Sequence, residues 1–206
     1  MKIFDIYLSF AKIFKDNGFS LYMIGGTSRD YLLGIEPSDI DFVTDATPED
    51  ERKFLEADFT FAKYGSIKVN YQGQKIDVVT LREESGYKDY RHPGNIKFIK
   101  DLELDSKRRD FTINAIYIDE SNKIIDFHDG IKDLKNKVIK FIGNPIDRVK
   151  EDPLRIIRAE RLAKKLGFEV EEKTKEALNT YRYLLDELNP EKIKAEWRKL
   201  WVRVRC

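Results

Sequence analysis

Cysteine is all but missing from this chain. The single thiol among 206 residues is the last one, Cys206, so an internal disulfide framework and a cysteine-ligated metal cluster are both excluded, and a reducing, cytoplasmic setting is expected. Charge of one sign is missing as well, since 38 Lys and Arg against 37 Asp and Glu leave a formal net charge of +1. Any RNA or DNA surface must therefore be a local patch rather than a global field. No apolar run is long enough to span a membrane. The opening stretch MKIFDIYLSFAKIF is broken by Lys2, Asp5 and Lys12, and no small-residue cleavage site follows, which argues against a signal peptide. Repeats and low-complexity tracts are lacking too. A chain of this length can bury one good core, or a domain with a smaller appendage, and the second is expected.

The elements that are present start with a helix, because Ile3, Ile6, Tyr7, Phe10, Ile13 and Phe14 fall on one helical face and Gly18 reads as its C-terminal cap. SLYMI reads as a short apolar strand running into Gly25 and Gly26, TSRDYLL as a short helix ended by Gly34, and DIDFVT as the next strand. Thr47, Pro48, Glu49 and Asp50 form a helix start: a capping hydroxyl, proline in the first turn, and acids at the positive end of the dipole. SIKVNY and KIDVVTL read as a hairpin across Gln72 and Gly73. Residues 82–95, REESGYKDYRHPGN, carry charge, glycine and proline without periodicity and read as a mobile loop. A helical and extended stretch surrounds RRDFTINAIYI, and KVIKFIG reads as a strand. From Pro145 onward three helical patterns follow, separated by Gly167 and by Asn189 with Pro190. The fold class is thus α+β: a mixed-sheet domain over 1–144, followed by a small all-helical domain over 145–206.

Asp39 and Asp41 sit two apart in an otherwise apolar segment, a spacing that sends both carboxylates to one face of a strand. Two like charges held that close repel, more so when buried, and a divalent cation offsets the cost; magnesium takes one or two carboxylates plus substrate phosphates. The plainer alternative is an edge strand with two solvated acids. Gly25 and Gly26 at a strand end would let backbone amides approach a phosphate, or they form an ordinary turn. Asp77 supplies a third acid within an apolar strand, and the three carboxylates converge if the hairpin lies beside DIDFVT. Arg29 and Asp30 are by default a surface pair worth little. Arg108, Arg109, Asp110 and Asn114 bring cationic and amide groups into an apolar element, where arginine forks suit phosphate and ribose oxygens; a capped helix with solvated basic residues is the alternative. Asp152 and Arg155 sit three apart on one helical face, as do Arg155 and Arg158. Such an acid and arginine could read a base edge, or simply form an intrahelical salt bridge.

GGTSRDYLLG, then DID, then RRDFTINA, then EDPLRIIRAERLAKKLGF, in this order and spacing, resembles the class II tRNA nucleotidyltransferases and bacterial poly(A) polymerases of the DNA polymerase beta-type nucleotidyltransferase superfamily. The resemblance covers nearly the whole chain as a nucleotidyltransferase head and a helical neck. It implies that Gly25, Gly26 and Arg29 hold the triphosphate and that Asp39 and Asp41 bind the catalytic metals, a two-metal Mg2+ site. It implies further that Arg109, Asp110 and Asn114 contact the incoming ribonucleotide, and that Asp152 and Arg155, with Arg158 and Arg161 nearby, select the base. Residues 82–95 match the family's flexible loop, which takes part in switching between nucleotides. Ser28 stands where an apolar residue is common and Leu162 where phenylalanine is usual; both are packing changes.

The function expected from this resemblance is template-independent addition of ribonucleotides to an RNA 3′ end, with ATP and CTP as substrates. The product is all or part of CCA on tRNA, with oligo(A) or poly(A) addition, or a nucleotide- and RNA-binding accessory module, as alternatives. Asp77 is the expected third catalytic carboxylate, ligating metal or assisting deprotonation of the primer. Family members of ordinary length continue through body and tail helices that grip tRNA, so the expectation is a head and neck without them, either a piece of a longer enzyme or a minimal one. RNA contact is then assigned to Lys107, Arg108, Lys192, Lys194, Arg198 and Arg203, and the surface around Trp197 and Trp201 could support self-association.

Overall fold

A computed structural model describes residues 2–86 and 94–200. Helix α1 (Lys2–Asp16) is followed by β1 (Leu21–Met23), α2 (Gly25–Leu32), β2 (Ile40–Thr44) and α3 (Pro48–Glu51). The hairpin β3 (Ser66–Tyr71) and β4 (Gln74–Thr80) comes next, then β5 (Arg82–Ser85), β6 (Asn95–Phe98), α4 (Leu102–Lys107), β7 (Ile116–Ile118) and β8 (Ile124–Asp126). The remainder holds α5 (Gly130–Lys135), β9 (Val138–Ile139), α6 (Pro145–Glu151), α7 (Leu154–Leu166), β10 (Glu169–Val170), α8 (Glu172–Thr180) and α9 (Pro190–Arg198). Among the described residues no helix is long and apolar enough to cross a membrane.

Six strands form one sheet in the order β3-β4-β2-β1-β7-β8. All its pairs are antiparallel except β2 with β4, which run parallel, so the sheet is mixed as expected. Strand alternation sends Leu21, Met23, Phe42, Ile67, Val69, Ile76 and Val78 to one face, where they meet Ile3, Ile6, Tyr7, Phe10 and Phe14 of α1. The opposite face carries a smaller cluster of Ile24, Val43, Leu81 and Tyr117. The hairpin turn places Gln72 and Gly73 at φ 48 and 75, the left-handed pair of a type I′ turn that matches strand twist.

The chain packs as two units. The first comprises residues up to Glu84, Asn95–Arg108 and Asn114–Phe127, and the second takes in Arg109–Ile113 and the chain from His128 onward. The second unit therefore starts earlier than the boundary expected at 145. The reason is that β9 pairs in parallel with β10, tying the 128–144 segment to the helices; this two-stranded sheet also means the unit is not helical throughout. Phe111 stacks on Phe141 at 5.1 Å, and Ile156, Ile157, Ala159, Leu162, Ala177 and Leu178 complete its interior.

Three local readings change. Helix α2 begins at Gly25 and takes both glycines into its first turn. The segment 82–95 starts and ends in strands, β5 and β6, which pair with each other; residues 87–93 lie outside those described. The first neck pattern is two helices, broken at Asp152 and Pro153, where proline cannot continue the hydrogen-bond ladder.

The predicted helix start at Thr47 is present as a capping box with Asp50, although α3 lasts only to Glu51. Glu51 is fully buried, and neither carboxylate oxygen has a hydrogen-bond partner. Burial first, and then the Asp50 charge, push its pKa up to about 8. A carboxyl raised in the folded state contributes most below the ordinary carboxylate range, and that contribution is lost as pH rises through about 8. Glu51→Gln should therefore raise the thermal unfolding midpoint, more near pH 9 than near pH 5. Scanning calorimetry across this range checks it, and an equal shift at both ends would contradict the buried-acid account.

Candidate active site

The acidic centre arises from the one parallel pair in the large sheet. Parallel register sets Asp41 opposite Asp77, so both side chains leave the same face, away from α1. Asp41 is half-buried, whereas Asp39 lies one residue before β2 and is exposed. The expected burial of two carboxylates is thus corrected: water reaches Asp39 and eases the repulsion. Asp77 is held by Lys68 of β3 at 2.6 Å. Among the described residues no group of three or more His, Cys, Asp or Glu is arranged to hold a metal ion by itself. A pair of oxygen donors open to solvent still fits a magnesium ion that completes its shell with phosphates and water.

Helix α2 delivers the neighbouring groups. Gly25 adopts φ +68, so a side chain at this position would be strained by its backbone, and its Cβ would lie in contact with Asp41 Oδ2 at 3.4 Å. Thr27, which sequence reading passed over, accepts a hydrogen bond from Asp41 N at 2.7 Å and donates to Asp39 O at 3.1 Å. Arg29 and Asp30 are not a surface pair. Both are buried, with Arg29 Nε and Nη2 donating to Asp30 Oδ1 at 2.9 and 2.6 Å. Arg29 Nη1 donates to Asn114 Oδ1 at 2.7 Å, which joins the GGTSRD and RRDFTINA motifs. Ser28 is buried and donates to Gly25 O, so this polar residue is satisfied inside its own helix turn.

Arg108, expected on an RNA surface, is instead part of an internal network. Its guanidinium contacts Asp105 at 2.8 Å and Glu84 at 3.4 Å. Fully buried Asp105 also accepts from Tyr117 Oη at 2.7 Å and from Arg82 N at 3.1 Å, because α4 packs against β7 and the start of β5.

The second unit gathers the remaining motif residues. Arg109 gives its carbonyl to Arg148 at 2.8 Å. Asp110 is buried, with Oδ1 accepting from Phe111 N and Oδ2 2.5 Å from Arg158 as an ion pair that lacks hydrogen-bond alignment. Burial alone would raise the Asp110 pKa, but the guanidiniums of Arg158, Arg155 and Arg148 and the Phe111 amide outweigh it and hold it below the ordinary value. Asp152 is not on a helix face with Arg155. It links α6 to α7 and accepts from Leu154 N at 3.0 Å. The salt bridge of Arg155 is made to Glu151 at 2.7 Å, and Glu151 also takes Arg148 at 2.6 Å. Arg161 pairs with buried Glu196 of α9 at 2.9 Å. Lys192 is exposed, Lys194 and Arg198 share Glu191, Lys107 pairs with Glu103, and Arg203 and Trp201 lie outside the described residues.

Residues 21–140 match the family described as the poly A polymerase head domain, more than half of the chain. The chain belongs to this family. It is 38% identical over 205 residues to the CCA-adding enzyme of Lactobacillus helveticus, which covers 98% of this chain and 51% of that protein. Its fold superposes on the Bacillus stearothermophilus CCA-adding enzyme in complex with CTP with a TM-score of 0.88 and 33% identity, over 97% of this chain and 49% of that one. The Thermotoga maritima CCA-adding enzyme complexed with tRNA_CCA gives a TM-score of 0.75 at 27% identity, over 99% and 48% of the two chains. The chain spans about half the length of the relatives it matches. The mixed-sheet head expected from the sequence is what the fold displays.

The Arg161–Glu196 pair can be tested through stability. Arg161→Ala should lower the stability of the chain by about 1–3 kcal/mol, because a buried carboxylate loses a partner. Denaturant titration checks it, and an unchanged midpoint would contradict the pairing.

Proposed function

We propose that this chain is the catalytic part of a template-independent RNA nucleotidyltransferase that adds ribonucleotides to a 3′ end, with all or part of CCA on tRNA as its product. The observation that carries this reading is Asp41 in register with Asp77 on parallel strands, beside the glycine-led helix α2. The CTP-bound and tRNA-bound proteins of the same fold support it. Oligo(A) or poly(A) addition is the second reading, favoured by the matched family's description. The substrates under either reading are ATP or CTP and an RNA end, and a tRNA-maturing activity belongs in the cytoplasm.

Asp39 and Asp41 are the residues that would hold Mg2+, and such an ion supplies charge neutralisation at the triphosphate and a more nucleophilic primer hydroxyl. The chain's own residues do the rest. Amides at the start of α2 face the triphosphate, with the Gly25 conformation leaving room beside Asp41. Asp77, next to Asp41, would take the proton as the 3′ oxygen bonds to the α-phosphorus and the bond to pyrophosphate breaks. Arg29 is oriented by Asp30 and keeps further N–H donors beyond the three bonds it makes, enough to meet a phosphate or ribose oxygen. In the second unit Asp152 and Arg155 would read the base, with Asp110 and Arg109 toward the ribonucleotide. Asp152 accepts from Leu154 N, and Arg155 donates to Glu151 and to Arg148 O, so local bonds orient both side chains for that task.

Incubation with Mg2+, a tRNA ending before CCA and each labelled nucleotide, alone and mixed, tests the reading at single-nucleotide resolution. Ordered addition of C, C and A is expected; a long A tract on any RNA would establish the second reading, and no incorporation at all would leave only a binding module. Asp39→Ala and Asp41→Ala should each abolish incorporation, with little change in unfolding midpoint because neither carboxylate is fully buried. Wild-type turnover by either variant would remove the metal assignment. Arg155→Ala should narrow the preference for CTP and ATP over UTP and GTP by about 1–3 kcal/mol, the penalty for an unpaired buried polar group.

A further inference from the structure

The hydrogen bonds of Thr27 have no counterpart in the regular sheet. Strand β1 pairs with β2 only as far as Met23 opposite Phe42, after which the chain turns into α2. On the other side of β2 the ladder with β4 begins at Ile40 opposite Ile76. Asp39 is therefore outside both ladders, and Asp41 has lost its β1 neighbour on one side except for Ile24 N, which donates to Asp41 O at 3.3 Å. Thr27, fully buried in α2, meets Asp41 N, where no carbonyl of β1 accepts. Its hydroxyl accepts from Asp41 N at 2.7 Å and donates to Asp39 O at 3.1 Å. One hydroxyl has one proton and two lone pairs, so it can serve both backbone groups at once.

We propose that Thr27 is a positioning residue: its hydroxyl takes the place of a missing strand and holds the Asp39–Asp41 backbone extended, which sets the spacing of the two carboxylates toward a divalent cation. The proposal rests on the reading of Asp39 and Asp41 as metal ligands. Thr27 touches no substrate and acts through the two main-chain groups. Its methyl group and the buried volume it fills are kept by valine, whereas the donor and acceptor are kept by serine, so the two substitutions separate packing from hydrogen bonding. Loss of the hydroxyl leaves the Asp41 N–H and the Asp39 carbonyl without this partner, and the exposed position of Asp39 means that its carbonyl can turn to water and carry its carboxylate away from Asp41.

Mn2+ is a suitable probe, measured by electron paramagnetic resonance on the full chain with CTP present and no RNA. Thr27→Val should weaken Mn2+ binding by ~10–100-fold, the range for loss of a group that orients metal ligands, and Thr27→Ser should bind as the parent does. In steady-state assays Thr27→Val should lower kcat with KM for CTP nearly unchanged. Parent-like Mn2+ affinity in Thr27→Val overturns the proposal, as does a Thr27→Ser variant as weak as Thr27→Val. Should Thr27→Val not fold cooperatively, Thr27→Ser against Thr27→Ala decides by the same comparison. Asp41→Asn separates the two layers: undiminished Mn2+ binding there removes the metal reading and the Thr27 role with it, while loss in Asp41→Asn and retention in Thr27→Val removes the Thr27 role alone.

Discussion

The parallel pairing of β2 with β4 is the constraint on which the rest of the candidate site depends. Every other pair in the large sheet is antiparallel, and this one pair sets Asp41 level with Asp77. A register slip of one residue would send Asp77 to the face covered by α1, toward Phe10 and Phe42, and would turn Val78 out of that cluster. The apolar face thus specifies the acidic one: burial of Ile40, Phe42, Ile76 and Val78 locks the register, and the carboxylates on the opposite face inherit it.

Within each unit, buried charged groups orient one another. Asp30 holds Arg29, which reaches Asn114; Asp105 holds Arg108, Tyr117 and the Arg82 amide; Glu151 holds Arg148 and Arg155. Removing one member of such a pair leaves the other charge buried and uncompensated, so these pairs are better understood as fixing geometry than as adding stability. Glu51 is the contrast. With both oxygens unpartnered it has no geometric task in the described residues, and burial keeps it protonated at neutral pH.

Much of the fold could be read from local pattern. The face of α1, the Gln72–Gly73 turn, the Thr47 cap and the strands flanking Gly25 all follow from periodicity or from residues whose backbone preferences are narrow. The readings that changed depended on partners distant in sequence. Arg29 and Asp30 looked like a surface pair until Asn114 was found beside them, and Arg108 looked solvated until α4 brought it to Glu84 and Asp105. The second unit's early start at His128 depends on β9 meeting β10, two short strands about thirty residues apart that carry little pattern of their own.

By itself the sequence determined which chemistry was on offer: two aspartates at strand spacing, a glycine-led helix, an arginine-rich motif and an acid–arginine pair before a helix. Residue identity and short-range periodicity are local properties and survive without a fold. Only the tertiary structure decided how those groups are used. Asp77 joined Asp41 because two parallel strands aligned them, Glu151 rather than Asp152 became the partner of Arg155 because proline ended one helix and began another, and Thr27 took the place of a strand because β1 ended where α2 began. Each depends on a long-range register or on where an element stops, and both are set by packing rather than by neighbours in the chain.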